Sequence, residues 1–109
     1  MAWLLRGGEV LASLTVASSR ADRRRGLLGR DSFDGALLIE RARSIHTFGM
    51  RFPIDVAFCD EQFRVVDVRT IRPGRLTLPV RDARCAIEAE AGSFATWELR
   101  VGDELEVRR

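Results

Sequence analysis

The chain has 109 residues, of which 46% are hydrophobic and 31% are charged. These are the proportions of an ordinary globular protein rather than of a disordered tail, and the length leaves no room for a second domain. We therefore expect one domain over residues 1–109. Eighteen basic residues nearly balance sixteen carboxylates, and a net charge of +2 gives no broad field for steering nucleic acid or an anionic membrane.

All eighteen basic residues are arginines, and the chain has no Lys, Asn or Tyr. We attribute this bias to the codon usage of a GC-rich genome.

The apolar run within Met1–Arg6 is too short for a signal peptide or a membrane span, which predicts a cytoplasmic protein. Cys59 and Cys85 form no CxxC motif and have one histidine to accompany them, so we predict no metal site and no cofactor.

Alternating apolar residues predict the first strands. Val10, Ala12, Leu14 and Val16 recur with a period of two, as in a half-buried strand. The segment 3–5 is a candidate partner strand, with glycines 7 and 8 as the two-residue turn between them.

A change of period predicts a short helix next. Ser19 and Asp22 resemble a capping box, and the composition is helical from residue 20 onward. Gly29 supplies a stop, so we predict a helix over 19–28 with Ala21 and Leu28 turned inward.

The middle of the chain is rich in strand patterns. The run 36–40 is apolar without alternation, which indicates a strand covered on both faces. The segments 54–59 and 63–71, separated by a turn at 60–62, form the clearest hairpin. The segment 72–82 contains Pro73-Gly74 and Pro79, so we predict a loop there and regard it as a candidate rim for a site.

The end of the chain predicts a strand over 85–90, a turn or short helix from Gly92 to Leu99, and a closing strand with Leu105 and Val107 inward. The order of elements lacks the regular alternation of a doubly wound sheet. The predicted fold class is α+β, a mainly antiparallel rolled or barrel-like β-sheet with two short helices.

Several short segments, taken in order, resemble a known family. They are 25–30 (RGLLGR), 35–38 (GALL), 45–47 (IHT), 50–56 (MRFPIDV), Glu88 with Ala91-Gly92, and 101–103 (VGD). Their ordered combination is similar to the domain of unknown function 192 family, also called uncharacterised protein family 0127, over about residues 9 to 107. The resemblance implies a compact, mainly β domain and no activity. Many members carry a Trp-containing run where this chain has 45–50, which argues against an obligatory catalytic base at His46.

Polar residues in otherwise apolar segments are the ligand-binding candidates: Arg25, His46, Thr47, Arg51, Asp55 and Glu88. His46 and Asp55 could act as a base and its orienting acid, and they are weak catalytic candidates. Ser44 and Thr47 flank His46 but sit in no G-x-S-x-G elbow, so we assign no catalytic residue.

The arginines of the first helix have two interpretations. Arg20, Arg23 and Arg24 could grip phosphate or carboxylate, although a solvated helix face is the interpretation that we favour. Arg25 could instead reach inward and pair with Asp55 or Glu88.

The function that we favour from the sequence is a small non-catalytic binding or interaction module, monomeric, whose partner is an unidentified small molecule or protein. Whether it is an enzyme is uncertain, and we lean towards no. One alternative is a small hydrolase or transferase using His46 and Asp55, with Arg51 holding the substrate anion. Another is single-stranded nucleic-acid binding through the helix within residues 20–30, which the charge balance disfavours.

Overall fold

The computed structural model describes residues 1–109, which form seven strands and two short helices. The strands are β1 (Ala2–Arg6), β2 (Glu9–Ala17), β3 (Ala36–Glu40), β4 (Ile54–Cys59), β5 (Val65–Ile71), β6 (Cys85–Glu90) and β7 (Glu106–Arg108). The helices are α1 (Arg20–Arg25) and α2 (Ser93–Trp97). Neither helix has the length and apolar character needed to cross a membrane.

All seven strands belong to one sheet, in the order β5-β4-β6-β3-β2-β1-β7. Neighbouring strands run antiparallel except for β2 and β3, which run parallel and pair Leu14 with Ala36. A parallel pair needs a crossover connection, and the segment that makes it carries α1. The predicted α+β class, with a mainly antiparallel sheet and two short helices, is confirmed.

The sheet is rolled so that its two edges meet at one end. The N–H of Leu105 donates to the carbonyl of Phe63 at 3.0 Å, and the N–H of Val65 donates to the carbonyl of Asp103 at 2.9 Å. These bonds join the start of β5 to the segment just before β7. The sheet is not closed along its length, because β5 and β7 are not paired in its strand order.

Both faces of the central strands are covered. One cluster of 13 buried residues includes Leu27, which follows α1, and the opposite cluster of 13 includes Phe94 of α2. We call these sides of the sheet the α1 face and the α2 face. All six residues of β4 are buried, and four of the five residues of β3 are buried, as predicted for a strand covered on both sides. Alternation in β4 and β6 therefore separates two buried faces rather than core from solvent.

Helix α1 is shorter than the sequence predicted. The Ser19 hydroxyl accepts a hydrogen bond from the N–H of Asp22 at 3.0 Å, which confirms the predicted cap. The helix ends at Gly26 rather than near Gly29, because Gly26 takes φ 49° and ψ −125° and turns the chain. The prediction that Ala21 turns inward is wrong, since this side chain is exposed and the helix has no buried residue.

The turn between β4 and β5 delays the start of β5 to Val65. One carboxylate oxygen of Asp60 accepts hydrogen bonds from the N–H groups of Gln62 and Arg64 at 3.0 and 2.9 Å. These bonds hold Phe63 at φ 62°, which is outside the strand region. The predicted hairpin is present with a longer turn.

Substitution of Gly35, where the chain enters β3 beside β2, should test the parallel pairing. Gly35 has φ +90°, and an added Cβ would lie 2.5 Å from the Ser13 hydroxyl oxygen and 2.8 Å from its backbone oxygen. Gly74 has φ +80° but nothing within 4 Å, so it is a matched control. We expect Gly74→Ala to lower the free energy of unfolding by about 1 kcal/mol and Gly35→Ala by about 3 kcal/mol or more in urea denaturation. Equal losses would contradict the close approach.

Candidate functional site

A cavity of about 410 Å³ opens on the α1 face of the sheet. Helix α1 and the turn after it form one wall, and the segment 41–46 forms the other. Glu88 of β6 lies at the floor, paired with Leu37 of β3 on one side and Val56 of β4 on the other. Six arginines line the cavity, which we call the arginine cavity: Arg20, Arg23, Arg24, Arg25, Arg41 and Arg43.

None of these six arginines forms an ion pair. The five ion pairs of the protein use other arginines: Arg6, Arg51, Arg64, Arg69 and Arg108. Arg23 and Arg41 donate to the same backbone carbonyl, that of Ser18, at 2.7 and 3.2 Å, and so link the two walls. The pairing of Arg25 with Asp55 or Glu88 suggested by the sequence is not formed. The guanidinium groups are therefore not neutralised by carboxylates of the protein.

Glu88 is buried, with 3% of its surface exposed, and it accepts no hydrogen bond from the protein. Every side-chain oxygen or nitrogen that is fully enclosed in the protein has a hydrogen-bond partner. The carboxyl oxygens of Glu88 have none, so they are not fully enclosed, and their small exposed surface opens into the arginine cavity. Burial raises the pKa of Glu88 to about 7. Five of the six arginines are exposed and none forms an ion pair with Glu88, so the guanidinium groups lie around the rim rather than beside the carboxyl.

Gly26 lies close to this carboxyl. A Cβ added to Gly26 would be 3.4 Å from the Oε1 atom of Glu88. Its backbone angles are ones that only glycine adopts at little cost. The chain thus leaves α1 past Glu88 without placing a side chain on it, and the carboxyl stays open to the cavity.

His46 lies at the rim of the arginine cavity and is exposed. Its ring stacks on Phe48, with ring centroids 5.5 Å apart and an interplanar angle of 20°. Phe48 itself is 53% exposed. The imidazole forms no hydrogen bond to the protein, so no acid orients it as a general base would require.

Thr47 is fully buried, and its hydroxyl forms hydrogen bonds only to backbone groups of the protein. Its hydroxyl donates to the carbonyl of Arg72 at 2.8 Å and accepts from the N–H of Arg75 at 2.9 Å, while its own carbonyl accepts from Gly74 at 2.8 Å. These bonds fasten the loop before β4 to the segment 72–77. The whole segment 72–82, predicted as a candidate rim, contributes no residue to the arginine cavity.

Asp55 is buried on the α2 face and has three donors. One carboxylate oxygen accepts from the N–H groups of Gly92 and Phe94 at 2.9 and 3.0 Å, and the other accepts from the Thr70 hydroxyl at 2.7 Å. This carboxylate fixes the first turn of α2 against β4 and β5. Both of its oxygens accept hydrogen bonds within the fold.

Three of the six candidate residues share the arginine cavity: Arg25, His46 and Glu88. Thr47 and Asp55 are placed as described above, and Arg51 forms an exposed ion pair with Asp31 at 2.8 Å. His46 and Asp55 lie on opposite faces of the sheet, so the structure does not bring this predicted base and acid together.

The two cysteines lie opposite each other on β4 and β6 as free, buried thiols. Hydrogen bonding to Cys85, together with burial, raises the pKa of the Cys59 thiol, which disfavours the reactive thiolate. No group of three or more His, Cys, Asp or Glu side chains is arranged to hold a metal ion.

Sequence reasoning missed Arg41 and Arg43, and it treated Arg20, Arg23 and Arg24 as a solvated helix face. A signal was available for the first two, because both follow a strand predicted to be covered on both sides. Residues at the end of such a strand emerge at the edge of the core. Nothing in the local pattern indicated that α1 would face them.

Removal of the Asp55 carboxylate should destabilise the fold. Asp55→Ala leaves two backbone N–H groups, of which that of Phe94 is buried, and a hydroxyl without their acceptor. We therefore expect the free energy of unfolding to fall by about 3 kcal/mol in urea denaturation. Asp31→Ala, which removes only the exposed pair with Arg51, should change it by less than about 0.5 kcal/mol. Similar small losses in both variants would refute the anchoring role of Asp55.

Glu88 should make stability depend on pH. The native carboxyl has a pKa of about 7, against an ordinary value of 4.5, so the native state binds this proton more tightly than the unfolded chain. The free energy of unfolding should therefore fall as the pH rises from 4.5 to about 7. We expect Glu88→Gln to gain up to about 3 kcal/mol over the unmodified protein at pH 8 and little at pH 4. A difference between the two proteins that is constant with pH would contradict this.

Two solved structures share this fold. A protein of unknown function from Novosphingobium aromaticivorans aligns with a TM-score of 0.81 and 19% identity, covering 96% of this chain and 82% of that one. A protein from Sinorhizobium meliloti, described as a candidate transcription regulator, aligns with a TM-score of 0.82 and 18% identity, covering 97% and 91%. At these identities the likeness concerns the fold alone.

Curated relatives match part of the chain. A UPF0127 protein of Pyrococcus horikoshii is 44% identical over 62 residues, which are 57% of this chain and 54% of the relative. A UPF0127 protein of Thermococcus gammatolerans is 42% identical over 60 residues, or 55% of this chain and 39% of the relative. The matched segment thus spans about half or less of these relatives.

A family model covers almost the whole chain. The model of DUF192, described as "Uncharacterized ACR", matches residues 3–107. This agrees with the resemblance in the short segments and with the relatives above. The chain belongs to the DUF192 family.

Proposed function

We propose that this protein is a non-catalytic binding module for a small anionic molecule, and that the arginine cavity is its binding site. The observation that carries the proposal is the convergence of arginines from α1 and from the segment after β3 on one cavity, with no carboxylate paired to any of them. Like charges gathered in this way repel one another, and a bound anion relieves that repulsion.

The chemistry of the arginines supports an anionic ligand. A guanidinium presents planar, paired N–H donors that match the oxygens of a carboxylate or a phosphate. Six such groups surround a cavity whose lining contains one carboxyl, that of Glu88. The cavity volume of about 410 Å³ is within the ordinary range for small-molecule sites.

Binding without chemistry fits the side chains at the cavity better than catalysis does. Ser44 and His46 both line it, but neither side chain forms a hydrogen bond. An activated nucleophile is recognised by a hydrogen bond to its base, and that base by a bond to an orienting group. The hydrolase alternative also needs Asp55, which lies on the other face of the sheet and accepts three hydrogen bonds there.

The alternative ligand is single-stranded nucleic acid. The exposed Phe48, stacked on His46 beside the arginines, is a feature on which a base could stack. The Sinorhizobium meliloti neighbour is described as a candidate transcription regulator, but likeness in fold carries no function by itself. A concave cavity rather than a basic stripe favours the small anion.

The predicted cytoplasmic location is part of the proposal, and two neighbouring free thiols, Cys59 and Cys85, are consistent with a reducing compartment.

Anion binding should depend on arginines from both walls. We expect phosphate, citrate or a related anion to raise the melting temperature of the protein, and the double variant Arg25→Ala/Arg43→Ala to bind it at least about tenfold more weakly. Arg81→Ala removes one positive charge at an exposed position outside the cavity, and it is the matched control for Arg25→Ala and Arg43→Ala tested singly.

The measurements are thermal shift and isothermal titration calorimetry at low and physiological salt. A melting temperature that no anion raises, or equal losses in the Arg81 control, would overturn the proposal. Tighter binding of a single-stranded oligonucleotide than of any small anion, with a steep salt dependence, would favour the nucleic-acid alternative instead.

A further inference from the structure

We infer that the ligand of the arginine cavity is a hydroxylated anion, whose anionic group binds the rim arginines while its hydroxyl donates a hydrogen bond to Glu88. This inference rests on the proposed function and names the ligand class. It follows from the separation of the cavity into a cationic rim and a floor formed by one carboxyl without a partner.

The unfilled acceptor capacity of Glu88 is the first step. Asp55, on the neighbouring strand and equally buried, accepts hydrogen bonds from three donors. Glu88 accepts none, although it is 97% buried and the rest of its surface faces the cavity. Buried polar groups are almost always hydrogen-bonded, and the carboxyl oxygens of Glu88 are open to the cavity, so they can accept from a donor that enters it.

The protein cannot readily supply that donor. No guanidinium forms an ion pair or a hydrogen bond with the carboxyl, and Gly26, the residue beside Oε1, has no side chain. A ligand anion held by the rim arginines leaves Glu88 free. We therefore assign the donor to the ligand, in place of the water that can otherwise reach the carboxyl. Such a ligand carries an anionic group at one end and a hydrogen-bond donor at the other.

The charge of the cavity selects a hydroxyl over an ammonium as this donor. Six guanidinium groups outnumber the single carboxyl, so the net potential in the cavity is positive. A positive ammonium is repelled there, whereas a neutral hydroxyl is not. A hydroxyl can also donate to the carboxyl in either protonation state, both of which are populated near neutral pH because burial raises its pKa.

The test uses alkyl phosphates that differ only at the end remote from the phosphate, which carries methyl, hydroxyl or ammonium. Ethyl, propyl and butyl series vary the reach from rim to floor, and matching carboxylates distinguish the two kinds of anion. In calorimetry on the unmodified protein, we expect the best hydroxylated probe to bind at least about tenfold more tightly than its methyl-terminated counterpart. Probes ending in ammonium should bind no better than the methyl-terminated ones.

The Glu88→Leu variant tests whether Glu88 causes the preference for hydroxylated probes. Leu fills a similar volume without an acceptor, so we expect the hydroxylated and methyl-terminated probes to bind it equally, at the affinity of the methyl-terminated probe for the unmodified protein. Glu88→Gln keeps one acceptor oxygen and should retain part of the preference. If the Leu variant does not fold, the Gln variant and the probe series on the unmodified protein still decide.

Each outcome has a distinct meaning. Equal affinity of hydroxylated and methyl-terminated probes at every chain length would overturn this inference while leaving anion binding intact. Tightest binding of the ammonium series, or a hydroxyl preference retained in full by Glu88→Leu, would also overturn it. Failure of every probe to bind would remove the proposed function together with this inference.

Discussion

The central strands β3, β4 and β6 are buried on both faces, and this constraint decides the roles of their two buried carboxyls, Asp55 and Glu88. A carboxyl in such a strand has to find donors within the fold, become protonated, or face a cavity. Asp55 finds donors within the fold, namely two N–H groups at the start of α2 and the Thr70 hydroxyl of β5. Glu88 faces the α1 side, has no donor and forms the floor of the arginine cavity. One constraint thus yields a structural anchor on one face and a candidate site on the other.

The cavity itself follows from the single parallel pairing in the sheet. Because β2 and β3 run parallel, the chain has to cross from the end of one to the start of the other, and it carries α1 over the sheet as it does so. The arginines of α1 then face Arg41 and Arg43 at the end of β3. A chain with a net charge of only +2 concentrates six guanidinium groups there. Charge balance over the whole chain therefore said little about this surface.

The sequence predicted much of the fold, and three of its six candidate residues, Arg25, His46 and Glu88, line the arginine cavity. The strands, the β4–β5 hairpin and the Ser19 cap were recognised because alternation, turn residues and caps act over a few positions. The end of α1 was wrong because the pattern continued to Leu28, whereas Gly26 turned the chain first. Asp55 and Glu88 were chosen for the same reason, as acids within apolar segments. Their surroundings turned out to be opposite, and nothing near either residue in the chain distinguishes them.

The sequence by itself determined the family, through the order of its short segments. It also determined the fold class and most of the strand positions, since alternation, turn residues and caps act between close neighbours along the chain. The tertiary structure alone decided which face each strand residue occupies, that His46 and Asp55 are separated by the sheet, and that Gly26 passes close to Glu88. Those relations join residues far apart in the sequence. They are set by how the layers pack around the sheet, because burial of apolar surface has no direction and leaves no local pattern that identifies its partner.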